Sequence, residues 1–193
     1  MEKTDIRKKI LEARKALSPT TRNSFSKAII QKVMGHPQWR SAKTILVTIS
    51  FGSEVETHSL IHQGFAQGKR IVVPVVTADD PELSLSELRY WNDLEKGPTH
   101  GILQPKADKI RLVSPSEIDV ALIPGAAYDR KGGRIGYGAG YFDRLLPSMT
   151  KAYSIGLAFS IQIVDHLLPL EPHDCKVDEV ITETSNSKFK IQN

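Results

Sequence analysis

The chain has 193 residues, 40% of them hydrophobic and 25% charged, and a formal net charge of +4. That is a soluble globular composition, long enough for one domain with a proper core. The mild basic excess suits an anionic small molecule, and no basic run with interleaved aromatics calls for nucleic acid. A lone cysteine, Cys175, excludes an internal disulfide and a paired-cysteine metal motif, and is expected to be an inert thiol. The N-terminal segment lacks the apolar stretch of a signal peptide, and no apolar run approaches the ~20 residues of a membrane span. Cytoplasmic residence is therefore expected.

In chain order, Ile6, Ile10, Leu11 and Leu17 recur at helical spacing between charged residues and predict a first helix. Ser18 then caps a second, with Pro19 at its first position, Phe25, Ile29, Ile30 and Val33 along one side, and Gly35 and Pro37 at its end. From Thr44 the pattern changes. Residues 44–49 form a β-branched run that reads as a buried strand, residues 58–67 read as a helix, and residues 70–73 as a strand stopped by Pro74. Further strands are expected at 83–91, 119–123, 153–159 and 177–182, with a helix opening at Gly140 and running to Leu146. Continuous apolar strands alternating with helices predict an α/β fold. The expectation is a three-layer sandwich over residues 1–193, with a mostly parallel sheet, helices on both faces, and two helices ahead of the first strand. Residues 92–116, with Gly97-Pro98, Gly101, Pro105 and Pro115, are the least regular segment and read as a lid, a binding loop or a disordered segment.

The sharpest local feature follows the strand at 119–123. Pro124-Gly125 opens a segment in which Gly132, Gly133, Gly136, Gly138 and Gly140 place five glycines within nine residues. Glycines allow positive φ and close backbone approach, and successive N–H groups can cradle an anion. Arg134 and Arg144 add cations, and Asp143 offers a carboxylate of the kind a phosphate-bound Mg²⁺ uses. The spacing is neither a Walker loop nor a clean GxGxxG, so the local reading is an anion-binding loop or a long hairpin. Both Arg134 and Asp143 are expected on open loop.

Glu54-Val55-Glu56-Thr57 also follows a strand end. Glu54 could hold a substrate amine or imine, both glutamates could equally be solvated, and Thr57 is a candidate N-cap for the next helix. Asp174 is a second candidate metal ligand or a surface turn. His36, His58, His62, His100 and His166 show no ligand spacing.

Several of these segments, taken together, resemble one family. Lys3-x-x-x-Arg7, Glu54-Val-Glu-Thr57, Gln104-Pro105, Pro124-Gly-x-x-Tyr128-Asp129, Gly132-x-Arg134-Ile-Gly136-x-Gly138-x-Gly140-Tyr141-Phe142-Asp143 and Asp174-x-x-Val177-Asp178 occur in the order found in 5-formyltetrahydrofolate cyclo-ligases. The resemblance implies ATP- and Mg²⁺-dependent cyclisation of 5-formyltetrahydrofolate to 5,10-methenyltetrahydrofolate, through a phosphorylated formyl group. It implies that Lys3, Arg7, Arg134 and the stretch Gly136, Tyr137, Gly138, Ala139, Gly140, Tyr141 and Phe142 hold ATP. Ile49, Glu54, Tyr137 and Tyr141 would hold the folate, Asp143 and Asp174 the Mg²⁺, and Arg134, Tyr141 and Glu54 would act in catalysis. The implied partners are small molecules only, with neither nucleic acid nor membrane, and the chain is expected to act as a monomer. Departures are Phe142 and Tyr128, where Tyr and Phe are common, and Tyr137 and Ala139, where some relatives carry basic residues. The alternatives are a sugar-phosphate isomerase or CoA-transferase-like enzyme, and a non-catalytic nucleotide- or folate-binding module.

Overall fold

The structure is a computed structural model that describes residues 2–76, 83–97 and 101–188. Pro98, His100 and Lys190 lie outside the described residues. Helices α1 (Lys3–Ala16) and α2 (Pro19–Gly35) come first, followed by the short α3 (Pro37–Ser41). Ser18 caps α2 by accepting from the Thr21 N–H at 3.0 Å, with Pro19 where its missing N–H costs nothing. The second helix ends at Gly35, as read from sequence, and Pro37 also starts α3. His36 accepts from the Gln38 N–H through Nδ1 at 3.2 Å and so acts as that helix's cap.

Strand β1 (Thr44–Val47), helix α4 (His58–Ala66) and strands β2 (Arg70–Val75) and β3 (Ser84–Leu88) follow. The hairpin β4 (Leu94–Lys96) and β5 (Leu103–Pro105) lies inside the segment read as irregular. Then come β6 (Val120–Ile123), β7 (Ala127–Asp129), β8 (Arg134–Ile135), α5 (Tyr141–Leu145), β9 (Tyr153–Leu157), β10 (Ile163–Val164), β11 (Glu179–Ile181) and β12 (Asn186–Lys188).

Seven strands form one sheet in the order β12-β11-β9-β6-β1-β2-β3, parallel throughout except for the two edge strands. The central strands are buried on both faces, so their side chains divide by parity. Ile45, Val47, Ile71, Val73, Leu122 and Ile155 pack with α2, α3 and α4 through Ile29, Val33, Trp39, Leu60 and Ile61. Leu46, Val72, Ala121 and Ile123 face the opposite layer, where Leu145 and Met149 of α5 and its extension join Val113 and Ile118. Pro74 does not stop its strand. It pairs with Leu85 of β3, while the β1 pairing of β2 ends at Val72, so no ladder bond is missing on the β1 side. Among the described residues no helix is long and apolar enough to cross a membrane.

A second, three-stranded sheet, β10-β7-β8, grows from the chain just past the end of β6. Its turn is organised by Asp129, 3% exposed, whose carboxylate accepts from the N–H groups of Lys131, Gly133 and Leu168. Helix α1 packs on this sheet through Ile6, Ile10 and Leu11 against Ala126, Ala127, Ile135, Val164 and Leu168.

Tyr128 locks the small sheet to the large one. Its ring is fully buried, its hydroxyl donates to the Ile123 carbonyl at 2.8 Å, and Gly125 and Gly156 make room for it. A Cβ on Gly156 would stand 2.6 Å from the ring. Gly156→Ala is therefore expected to destabilise the protein by about 1–3 kcal/mol through overpacking. Tyr128→Phe, which loses only the hydroxyl, should cost about 1 kcal/mol. Urea unfolding followed by circular dichroism checks both, with Gly156→Ala expected to be the more damaging.

Candidate active site

In chain order the large sheet grows from β1 towards β2 and β3 on one side, then returns to add β6, β9 and β11 on the other. The strand order thus reverses between β1 and β6, and ligands in open α/β sheets bind beyond the carboxyl ends at such a point. A cavity of about 560 Å³ lies there. Thr48 and Ile49 follow β1, Val76 follows β2 and Pro124 follows β6, and all four line it together with Phe51, Leu103 and Gln104. Glu54, Tyr137, Ala139, Tyr141 and Phe142 complete the wall. The expected folate-side residues Ile49, Glu54, Tyr137 and Tyr141 therefore meet the glycine-rich loop in one space, with Leu103 and Gln104 of β5 on its wall.

The turn after β1 shows why Glu54 is available. Thr57 occupies the N-cap position of α4 without making the cap bond. Its hydroxyl donates to the Thr48 carbonyl at 2.7 Å and accepts from the Ser50 N–H at 2.9 Å, tying the turn to the end of β1. Capping passes to Glu56, which accepts from the N–H and hydroxyl of Ser59. Val55 is buried in the core. Glu54 is left at the cavity, its Oε2 accepting from the Phe51 N–H at 2.9 Å.

The glycine-rich segment is part hairpin and part loop. Arg134 does not sit on open loop: it belongs to β8, is 3% exposed, and its Nη2 donates to Asp143 Oδ1 at 2.8 Å. Its Nε is buried without a partner among the described residues. Beyond β8 the chain runs free until α5, and Gly138 and Gly140 turn it with φ of 115° and 66°. Arg7 reaches up from α1 and donates from Nε to the Gly136 carbonyl at 2.8 Å, and its guanidinium lies beside Gly138. The helix opening at Gly140 is only Tyr141–Leu145, so its dipole adds little. Arg144 Nη1 turns back to the Ala139 carbonyl and its guanidinium stacks over Tyr141.

The remaining expected residues lie at the outer edge of this loop. Asp143 Oδ1 also accepts from the Cys175 N–H at 3.0 Å. Lys3 bridges Glu171 and Asp174, and Asp174 accepts in addition from the Glu171 N–H. Burial opposes the charge on Lys3, but the two carboxylates overcome it and hold the ammonium above its ordinary range. Burial would likewise raise Asp174, and Lys3 with the Glu171 N–H outweighs that and keeps it ionised. The donor atoms of Glu171, His173 and Asp174 lie within 4.8 Å of one another, and Asp143 stands outside that group. Among the described residues the hydrogen bonds to the Asp143 and Asp174 carboxylates each engage one oxygen, Oδ1 and Oδ2 respectively. The second oxygen of each is left as a hard donor of the type Mg²⁺ takes, so the residues fit that ion by chemistry. Burial and the Asp143 carboxylate push the Cys175 thiol above its ordinary range.

Arg14 was not singled out from sequence. It is 5% exposed, lines the cavity, and donates to Ser53 Oγ at 3.1 Å and to the Tyr137 hydroxyl at 2.8 Å. Its signal was its spacing: Lys3, Arg7 and Arg14 follow one another at four and seven residues and so share a face of α1. Tyr137 is held above the ordinary phenol range, first by burial and then by the Glu54 carboxylate, against the opposing pull of Arg14. It therefore stays a protonated hydrogen-bonding group.

Comparison with known proteins bears on the family and the fold. The family model described as the 5-formyltetrahydrofolate cyclo-ligase family matches residues 1–183. A 5-formyltetrahydrofolate cyclo-ligase of Mus musculus is 32% identical, over 95% of this chain and 94% of its own. The enzyme of that name from Escherichia coli K12 is 31% identical, over 90% and 96%. The NMR structure of Aquifex aeolicus 5,10-methenyltetrahydrofolate synthetase superposes with a TM-score of 0.87 at 28% identity, covering 100% of this chain and 95% of that one. The Mycoplasma pneumoniae synthetase superposes at 0.76 and 27%, covering 95% and 99%. With its family model matched almost end to end and its fold shared with these synthetases, the chain belongs to the 5-formyltetrahydrofolate cyclo-ligase family.

Proposed function

We infer that this chain, acting as one domain and as a cytoplasmic monomer, converts 5-formyltetrahydrofolate to 5,10-methenyltetrahydrofolate using ATP, with release of ADP and phosphate. The observation that carries this reading is the meeting of a carboxylate-bearing apolar cavity with a glycine-rich loop at the sheet's reversal point. An N-formyl amide is a poor electrophile. Transfer of the γ-phosphoryl group to the formyl oxygen makes that oxygen part of a leaving group and leaves an iminium-like carbon on N5. The folate N10 then attacks that carbon and loses its proton. The C–O bond breaks, and phosphate departs carrying the formyl oxygen. No covalent bond to the protein is needed, so the chain's task is positioning and charge neutralisation.

Lys3 and Arg7 hold the ATP phosphates from α1, and the backbone from Gly136 to Phe142 surrounds them. Arg134 contributes its charge from behind the loop, where Asp143 and Phe142 hold it. Ile49 packs on the pterin. Glu54 accepts from its N–H groups and faces the positive charge that develops at N5. Tyr137 and Tyr141 border the formyl group. Asp143 and Asp174 would hold Mg²⁺, which would supply positive charge to offset that of the phosphates.

The test mixes the protein with 5-formyltetrahydrofolate, ATP and Mg²⁺ and follows the absorbance of the methenyl product. A rise that requires all three components is expected; a folded protein giving no rise would overturn the assignment. In the same assay Asp143→Asn should lower turnover by about 10²-fold or more, because it removes the charged carboxylate that would hold the metal and that pairs with Arg134. Glu54→Gln should raise the KM for the folate at least about tenfold, roughly 1.4 kcal/mol, while the KM for ATP stays nearly constant. Because Arg134 is buried and ion-paired, Arg134→Ala should lower thermal stability as well as activity, by about 3 kcal/mol in urea unfolding.

A further inference from the structure

Among the described residues Arg14 is a cation of the site that is both buried and without an ion pair. Its guanidinium is buried on the wall of the main cavity and of a smaller one beside it, formed at the ends of β1, β6 and β9 by Thr48, Ser50, Leu122, Ile123 and Leu157. Its side-chain hydrogen bonds run to two neutral hydroxyls, of Ser53 and Tyr137. It makes no ion pair among the described residues. Lys3 and Arg134, by contrast, are each paired with a carboxylate. Glu54 acts on the same Tyr137 phenol, and among the described residues it is not ion-paired with Arg14.

A buried, uncompensated guanidinium is costly unless something supplies electron density to it. Two donors are engaged at Nε and Nη1, and Nη2 makes no hydrogen bond among the described residues. Arg14 lines the cavity, so this remaining donor is available to an acceptor on whatever fills it. Arg14 also joins the two halves of the site, since Ser53 lies in the turn that carries Glu54 and Tyr137 lies in the glycine-rich loop.

We propose that Arg14 is a substrate-binding residue that takes an oxygen acceptor of the folate, a ring or formyl carbonyl or a carboxylate of its glutamate, as the cationic counterpart of Glu54. The inference rests on the reading of the cavity as the folate site. Glu54 receives the N–H groups of the ligand and Arg14 receives an oxygen, so one end of the cavity presents both a hydrogen-bond acceptor and a donor. The pair fixes the orientation of the folate relative to the loop that holds the phosphates.

Isothermal titration with 5-formyltetrahydrofolate, and separately with Mg²⁺ and a non-hydrolysable ATP analogue, tests this without turnover. Arg14→Gln should bind the folate at least about tenfold more weakly and the nucleotide within about twofold of wild type. Arg14→Lys should recover part of the loss, because a lysine keeps the charge but not the fork. If Arg14→Gln does not fold, Arg14→Lys should show the same selective loss in smaller measure. Repeating the titration with 5-formyltetrahydropteroate, which lacks the glutamate, locates the acceptor. A penalty that persists places it on the ring or formyl group, and one that vanishes places it on the glutamate. Equal folate affinity in wild type and the folded variant would overturn the proposal. So would an equal loss of both ligands, the signature of a residue that merely tethers Ser53 and Tyr137. Wild-type protein that binds the nucleotide but no folate would overturn the folate reading itself.

Discussion

The packing of helix α1 on the small β7–β8–β10 sheet is the contact on which the candidate site depends. Between β8 and α5 the glycine-rich chain has no ladder to hold it. What orders it is an apolar seam, Ile6, Ile10 and Leu11 against Ala126, Ala127, Ile135, Val164 and Leu168. Burial of such a seam is worth about 1.5–3 kcal/mol for each large side chain removed from water. It also orients the polar face of α1. Arg7 then meets the Gly136 carbonyl, Arg14 meets Tyr137, and Lys3 meets Asp174. The same small sheet is held to the large one by Tyr128, whose ring occupies space that only the glycines at 125 and 156 leave open.

From this follows a division between the two walls of the cavity. One wall is rigid and belongs to the large sheet: the turn after β1 is stapled by Thr57 to Thr48 and Ser50, and it presents Glu54. The other wall is the loop carried by the small sheet and α1. Arg14 spans both through Ser53 and Tyr137. A reaction between two bound molecules needs such a junction, because most of the rate gain available from positioning is lost when the reacting atoms are held apart. Arg134 is paired with Asp143 and Lys3 with Asp174, so each of these cations sits beside a carboxylate.

The large sheet was legible in the sequence because its central strands are apolar on both faces, and Thr44–Val47 and Val120–Ile123 announce themselves as unbroken β-branched or aliphatic runs. The small sheet was not. Arg134–Ile135 and Ile163–Val164 are two-residue strands with no periodicity to read, and their pairing depends on Asp129 gathering three backbone N–H groups. Pro74 misled for a related reason: whether a proline ends a strand depends on which neighbour lies alongside, and β1 ends before reaching it. Thr57 had the right residue type for a helix cap, yet its hydroxyl is captured by the end of β1, a contact invisible to local rules. Within the site, Glu54 and the glycines were readable from motif and position. Arg14 was hidden in a run of charged residues, and only the burial of its guanidinium separates it from its solvated neighbours.

The central claim is that the loop and the cavity bring a phosphoryl group to the formyl oxygen, and the most direct measurement follows that oxygen. 5-Formyltetrahydrofolate labelled with oxygen-18 in the formyl group would be turned over with ATP and Mg²⁺ in unlabelled water, and the released inorganic phosphate analysed by mass spectrometry. The account predicts that the label leaves with phosphate, one labelled oxygen for each product formed. Unlabelled phosphate, with the heavy oxygen recovered in water, would contradict it.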